Sequence, residues 1–179
     1  MARITVNQTG THPTVLLSTT LGNASQLANG NIAAANVLSV TCLQDVTIKA
    51  STGIYSYVDF CSTDVNKVTT PADNEITMNI VIDPTAYFGN GTDSAAGRGI
   101  ANLSQNKVPV QFLVAWNYDA NVANLTAGNI ASLSNVYFSS GTGYISSLAP
   151  VASPSAPVFV TPITIAVDGT MYTNSSQNV

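Results

Sequence analysis

The chain has 179 residues and a mass of 18.5 kDa, which suits one domain with arms and excludes two independently packed domains. Only 8% of its residues are charged while 45% are hydrophobic and roughly a third are Ser, Thr or Asn, so hydroxyls and amides keep the surface wet and a disordered chain is excluded. Five Lys+Arg against nine Asp+Glu leave a net charge of −4 and a pI near 4.4, a balance that disfavours sequence-independent grip on nucleic-acid phosphates.

The start, Met1-Ala2-Arg3-Ile4-Thr5, lacks the apolar core and small-residue cleavage site of a secretory signal, so a cytoplasmic or already matured product is expected. Residues 7–31 are polar and rich in Thr, Asn and Gly, and are expected to form a loop-like arm. Over 46–50, Val46, Ile48 and Ala50 alternate with Thr47 and Lys49, the period of a half-buried strand. Ile54–Phe60 is a shorter strand candidate, and residues 61–75 read as a polar loop. Residues 76–82 set Ile76, Met78, Ile80 and Ile82 opposite Thr77, Asn79 and Val81, a second amphipathic strand. Over 93–107 the period changes: Ala96, Ile100 and Leu103 follow helical spacing, Asp93 or Ser94 is placed to cap, and Pro109 lies just beyond. Gly97 and Gly99 each cost this helix up to about 1 kcal/mol, so its start is expected to be irregular.

Residues 108–118 carry the strongest alternation, with Val108, Val110, Phe112, Val114, Trp116 and Tyr118 on one face. Short strands follow at Asn135–Phe138 and Tyr144–Leu148, separated by Ser139-Ser140-Gly141-Thr142-Gly143, which reads as a flexible turn. A proline-bearing loop spans 149–157. Ile163, Ile165 and Val167 then alternate with Thr164 and Ala166, and Asp168-Gly169 predicts a turn into a short strand at Met171–Thr173. The expectation is a mainly β protein of seven or eight strands with one short helix and long polar arms. Such arms on a compact β protein suggest assembly, in which they order against neighbours. The most apolar stretches, 108–116 and 156–167, are of strand length and far short of a membrane span.

Residues able to carry chemistry are sparse. His12 is the single histidine and stands in a polar stretch, so neither a multi-histidine metal site nor a Ser-His-Asp triad is easily assembled. Cys42 and Cys61 are the two cysteines and read as small buried hydrophobes, with their pairing left open. Gly89-Asn90-Gly91 and Gly97-Arg98-Gly99 lack the Lys-Ser/Thr of a phosphate loop and read as turn glycines. Asp59, Asp64, Asp73, Glu75 and Asp83 flank one strand pair and read as a solvated rim rather than a carboxylate pair for sugar hydrolysis. Trp116, Tyr55, Tyr57, Tyr118, Tyr137 and Tyr144 are the candidates for a glycan platform, but alternation puts Trp116 and Tyr118 with Val110 and Phe112, which points to core or interface. Six Asn-x-Ser/Thr sequons and a faint echo between Leu27–Ala33 and Leu125–Ala131 are what this composition produces by chance. No enzyme constellation, cofactor site or metal site emerges.

From about residue 40 to 170 the order of elements resembles a bacteriophage tail tube protein, the major tail protein. The resemblance rests on the strand at Val46–Ala50, the polar loop at 61–75, the Ile76–Ile82 strand, the helix at 93–107 and the strand Val108–Tyr118. It continues through Gly143-Tyr144-Ile145-Ser146-Ser147-Leu148, a proline-bearing loop and Val158–Gly169. The resemblance implies a β-sandwich or partly closed barrel flanked by a helix, with six copies in a ring and rings stacked as a hollow tube for DNA ejection. It implies no catalysis and no cofactor. Its partners would be further copies of itself, a sheath or terminator, a tape measure in the lumen and DNA passing without specific binding, in a virion tail made in the host cytoplasm. The position matching the family's ring-stacking loop comprises Cys61, Ser62, Thr63, Asp64, Val65, Asn66, Lys67, Val68, Thr69, Thr70, Pro71, Ala72, Asp73, Asn74 and Glu75. Val65, Val68, Pro71 and Ala72 would supply apolar contact there, and Asp64, Lys67 and Asp73 polar register.

The organisation expected is an arm and loop over 1–35, a tail-tube-like β domain over 36–173 and a tail over 174–179. The first 35 residues have no counterpart in the resemblance. Two other classes compete: another self-assembling subunit, such as a capsid decoration protein, tail terminator or pilin-like chain, and a carbohydrate-binding β-sandwich with an exposed Trp116.

Overall fold

The computed structural model describes residues 11–20, 36–40, 43–58, 64–70, 73–91, 95–119, 137–152, 154 and 158–175. Nine strands lie among them: β1 Thr11–Ser18, β2 Val37–Val40, β3 Leu43–Lys49, β4 Gly53–Tyr57, β5 Asn66–Thr70, β6 Glu75–Val81, β7 Val110–Asp119, β8 Tyr137–Leu148 and β9 Val160–Ser175. Two helices, α1 Pro84–Phe88 and α2 Ala95–Gln105, separate β6 from β7. Seven strands form one antiparallel sheet in the order β2-β1-β7-β8-β9-β6-β3, and β4 with β5 forms a separate two-stranded sheet.

The sheet has to curl. Its edge strands, β2 and β3, are neighbours in sequence, with Val40 and Leu43 only three peptide units apart. Three units span at most about 11 Å, whereas strands on opposite edges of a flat seven-stranded sheet would lie nearly 30 Å apart. The two edges are therefore drawn together, and β1 also approaches β3. Of the two forms expected, this is the partly closed barrel.

Its concave face holds the core. Val15 and Leu17 of β1, Ile76, Met78 and Ile80 of β6, Val110, Phe112 and Val114 of β7, and Ile163 and Ile165 of β9 are buried there. Ile100 and Leu103 of α2 close it, α2 packing on β8, β2 and β1. The alternation over 108–116 thus reports the core face, and Trp116 packs against it while its Nε1 donates to Ser139 Oγ at 3.1 Å. That hydrogen bond satisfies the indole inside the barrel.

The helix lies where its spacing predicts, and Gly99, at φ 70°, breaks its helical geometry. The capping candidates Asp93 and Ser94 are outside the described residues. A further short helix, α1, comes from Asp83-Pro84: the Asp83 carboxylate accepts from Thr85 N at 2.8 Å and Ala86 N at 3.2 Å, and Pro84 supplies a pre-set φ at the first turn. The backbones of Gly89 and Gly99 meet where the two helices touch; a Cβ on Gly89 would lie 2.6 Å from the Arg98 carbonyl carbon.

Three expectations are corrected. The polar arm over 7–31 contains β1, which sits between β2 and β7 with Val15, Leu16 and Leu17 buried. The turn expected over Ser139–Gly143 is the interior of β8, because a Cβ at Gly141 would stand 2.9 Å from the Phe112 ring and one at Gly143 would overlap the Ala166 carbonyl. Small residues are needed there for packing, not for bending. The hairpin expected at Asp168-Gly169 is a bulge within β9: Thr142 pairs with Asp168 and Ser140 with Tyr172, so Gly169–Met171 face the single Gly141, with Gly169 at φ 81°.

Candidate assembly surface

The β4–β5 hairpin is rooted where β3 ends and β6 begins. Ser51 N donates to Asn74 Oδ1 at 2.9 Å, Ser51 Oγ donates to the Asp73 carbonyl at 3.0 Å, and Lys49 pairs with Glu75 at 3.2 Å. Beyond this polar clasp the strands pair in register from Gly53 with Thr70 to Tyr57 with Asn66. Directly opposed residues share a face. Tyr55, Tyr57 and Val68 therefore lie on one side, with the two tyrosine rings stacked at 6.2 Å, while Ile54 and Thr69 share the other side with Ser56 and Lys67.

The hairpin makes no substantial packing with any other strand or helix among the described residues. Ile54, Tyr55 and Val58 are about 60% exposed, and Val65 and Val68 are also open to solvent. A two-stranded hairpin alone in water is marginally stable at best, and contiguous apolar side chains on a surface mark an interaction site.

The residues expected to form the stacking loop fall as follows. Cys61, Ser62, Thr63, Pro71 and Ala72 are outside the described residues. Asp64 and Val65 precede β5, Asn66, Lys67, Val68, Thr69 and Thr70 are β5 itself, Asp73 and Asn74 close the base, and Glu75 opens β6. The loop reading is thus corrected in its middle: β-branched Val68, Thr69 and Thr70 pair with β4. Sequence reasoning left the more apolar arm, Ile54, Tyr55 and Tyr57, out of the stacking residues, although Ile54–Phe60 reads as a strand candidate.

The other candidate groups do not converge. Asp64 and Asp73 are exposed, Glu75 is paired with Lys49, and Asp83 caps α1; Asp59 is outside the described residues. No three metal-ligating side chains cluster among the described residues. His12 lies in β1 with its backbone opposite Tyr118, and Cys42 and both halves of the sequence echo are outside the described residues. Tyr144 is exposed opposite the face of β8 that buries Ile145, so it shares no platform with Trp116. No helix of the described residues is long and apolar enough to cross a membrane.

The outer face of β3, β6 and β9 is hydroxyl- and amide-rich, with Thr47, Thr77, Asn79 and Thr164 on it. Asp45 holds Asn79 through its backbone N at 3.2 Å and Nδ2 at 2.8 Å, and the cation Lys49 is paired with Glu75.

No family model and no curated protein matches the sequence. Solved structures do match the fold. A chain of the SPP1 tail tube superposes with a TM-score of 0.54 at 12% identity, covering 96% of this chain and 80% of that one. A chain from the tail of an empty gene transfer agent particle, refined with C6 symmetry, gives 0.51 at 10% identity over 90% and 96% of the two chains. The cap that terminates the tube of the anti-feeding prophage gives 0.51 at 12% identity over 98% and 94%. The overall fold is thus one shared with chains of phage-like tail tubes and of a tube-terminating cap.

Proposed function

We propose that this chain is a structural, non-enzymatic subunit of a phage-like tail tube, six copies forming a ring and rings stacking into a hollow conduit for DNA. The β4–β5 hairpin carries this reading: it is apolar, exposed and without substantial packing on any other strand or helix among the described residues, so a neighbouring copy is what stabilises it. The candidate stacking residues Cys61 to Glu75, together with Ile54, Tyr55 and Tyr57, then form the ring-to-ring contact.

Charge supports the same reading. A conduit must let phosphates slide, and five basic residues in 179, with Lys49 neutralised by Glu75, give DNA little to hold. The hydroxyl-rich outer face of β3, β6 and β9 suits such a wall. A sheath or terminator outside, a tape measure within and residence in the virion tail after synthesis in the host cytoplasm follow from this role.

The tube-terminating cap of the anti-feeding prophage shares the fold equally well, which supports a second reading as a terminator. Negative-stain electron microscopy with mass photometry across concentration separates the two. Hollow six-fold tubes are expected of a tube subunit and single rings of a terminator. A monomer at every concentration would overturn both.

A further inference from the structure

The two glycine motifs at the helices, Gly89-Asn90-Gly91 and Gly97-Arg98-Gly99, meet as a clamp. Asn90 N and Gly91 N both donate to the carbonyl of the buried Gly97, at 2.8 and 2.9 Å, so the chain leaving α1 is tied to the first turn of α2. The backbones are too close there for any side chain: a Cβ on Gly89 would overlap the Gly97 oxygen, and one on Gly99 the Gly89 nitrogen. Asn90 itself is exposed, and Gly91, at φ 86°, has no atom of the described residues within 4 Å of where a Cβ would stand. Among the described residues Asn90 is also the one asparagine followed by glycine.

That dipeptide is chemically reactive. When the Gly91 backbone nitrogen gives up its proton to hydroxide it can attack the Asn90 side-chain carbonyl carbon, Cγ. The N–Cγ bond forms, the Cγ–Nδ2 bond breaks, and Nδ2 takes a proton from water and leaves as ammonia. Water then opens the cyclic imide at one of its two carbonyls, giving aspartate or, with the main chain routed through the side chain, isoaspartate. A glycine nitrogen is the least hindered nucleophile for the attack, because no Cβ stands beside it. Here its N–H is engaged by the Gly97 oxygen, so that bond has to break before the nitrogen can react.

We infer that Asn90 is a site of spontaneous deamidation gated by the Gly97 carbonyl, which reacts only when the clamp between α1 and α2 opens and then locks it open. Isoaspartate lengthens the main chain between the two donating nitrogens by a carbon, so they no longer fit one carbonyl, and the abutting backbones at Gly89 and Gly99 leave no slack to restore the pair. The outcome is a one-way switch on the contact between the helices that supply Tyr87, Ile100 and Leu103 to the core. It stands apart from the tube reading, since it needs no second copy.

The test follows conversion at Asn90 by peptide mapping and mass spectrometry at mildly alkaline pH, in the folded chain and in the same chain unfolded by guanidinium chloride. Hydrogen exchange of the Gly91 amide is measured by NMR on the folded protein. Conversion is expected to be at least about tenfold slower in the folded chain, by a factor that matches the exchange protection of Gly91, because both need the same local opening. In aged protein, the isoaspartate fraction is expected to have lost protection at Gly91. Equal rates in folded and unfolded chains, or slow conversion beside an unprotected Gly91 amide, would overturn the gate. Protection that survives in the isoaspartate fraction would overturn the lock.

Discussion

Ile54, Tyr55 and Val68 of the hairpin and Ile76, Phe112 and Ile163 of the main sheet are the same kinds of residue in the same kind of backbone. The first three are 49–61% exposed and the last three 0–2%. Strand formation follows from β-branched and aromatic residues pairing across a register, and both regions satisfy it. Burial requires a further layer. The main sheet obtains one by curling on itself and taking in α2, whereas no other strand or helix among the described residues packs substantially against the hairpin. Apolar side chains inside the barrel thus stabilise the monomer, and those on the hairpin are the ones that the proposed stacking role would use between copies.

The strongest way to break this contrast is Phe112→Ala, which empties the centre of the barrel and is expected to cost about 3–5 kcal/mol. Denaturant unfolding reads it as a lowered midpoint. Gly143→Ala places a methyl against the Ala166 carbonyl and is expected to cost about 1–3 kcal/mol by pushing β8 off β9, measured the same way. Asp83→Ala removes the side-chain acceptor for Thr85 N and Ala86 N, and thermal unfolding should show a loss of about 1 kcal/mol.

Tyr87 sharpens the contrast by pH. Burial raises its phenol pKa above the usual 10.0, so the unfolded chain gives up this proton first as pH rises. Its contribution is therefore complete below about pH 10 and is lost as pH climbs through the folded-state value. Tyr87→Phe should flatten the alkaline limb of a stability-versus-pH curve, and an unchanged limb would count against the assignment. The smallest effect on the monomer belongs to Tyr55→Ser/Tyr57→Ser, expected to move stability by less than about 0.5 kcal/mol although two aromatic rings are lost. A drop comparable to that of Phe112→Ala would mean that the hairpin is packed within its own chain.

Much of the barrel was legible because β3, β6 and β7 each turn a run of alternating apolar residues toward the core, although β7 buries its other face as well. The alternation over 46–50, 76–82 and 108–118 places β3, β6 and β7, and the change to helical spacing at Ile100 and Leu103 places α2. β1 was hidden because its apolar residues are consecutive. Val15, Leu16 and Leu17 run together because both faces of that strand are buried, so no alternation marks them within a polar segment. On the hairpin, β5 was read as loop because its Lys and Thr content looks like a solvated rim, while the apolar arm opposite it was recognised as strand but not as surface.

The amino-acid order by itself determined the β class, the position of the helix, the near absence of charge for holding DNA and the scarcity of groups for catalysis, because each of these depends on residue type and local period. The tertiary structure decided what the glycines at 141, 143 and 169 are for, since close approach to Phe112 and Ala166 and a bulge opposite β8 exist only once the strands are in register. It also decided which apolar residues are left over. Exposure depends on which faces the curled sheet and its helices cover, and local pattern carries no record of the layer that comes to rest on it.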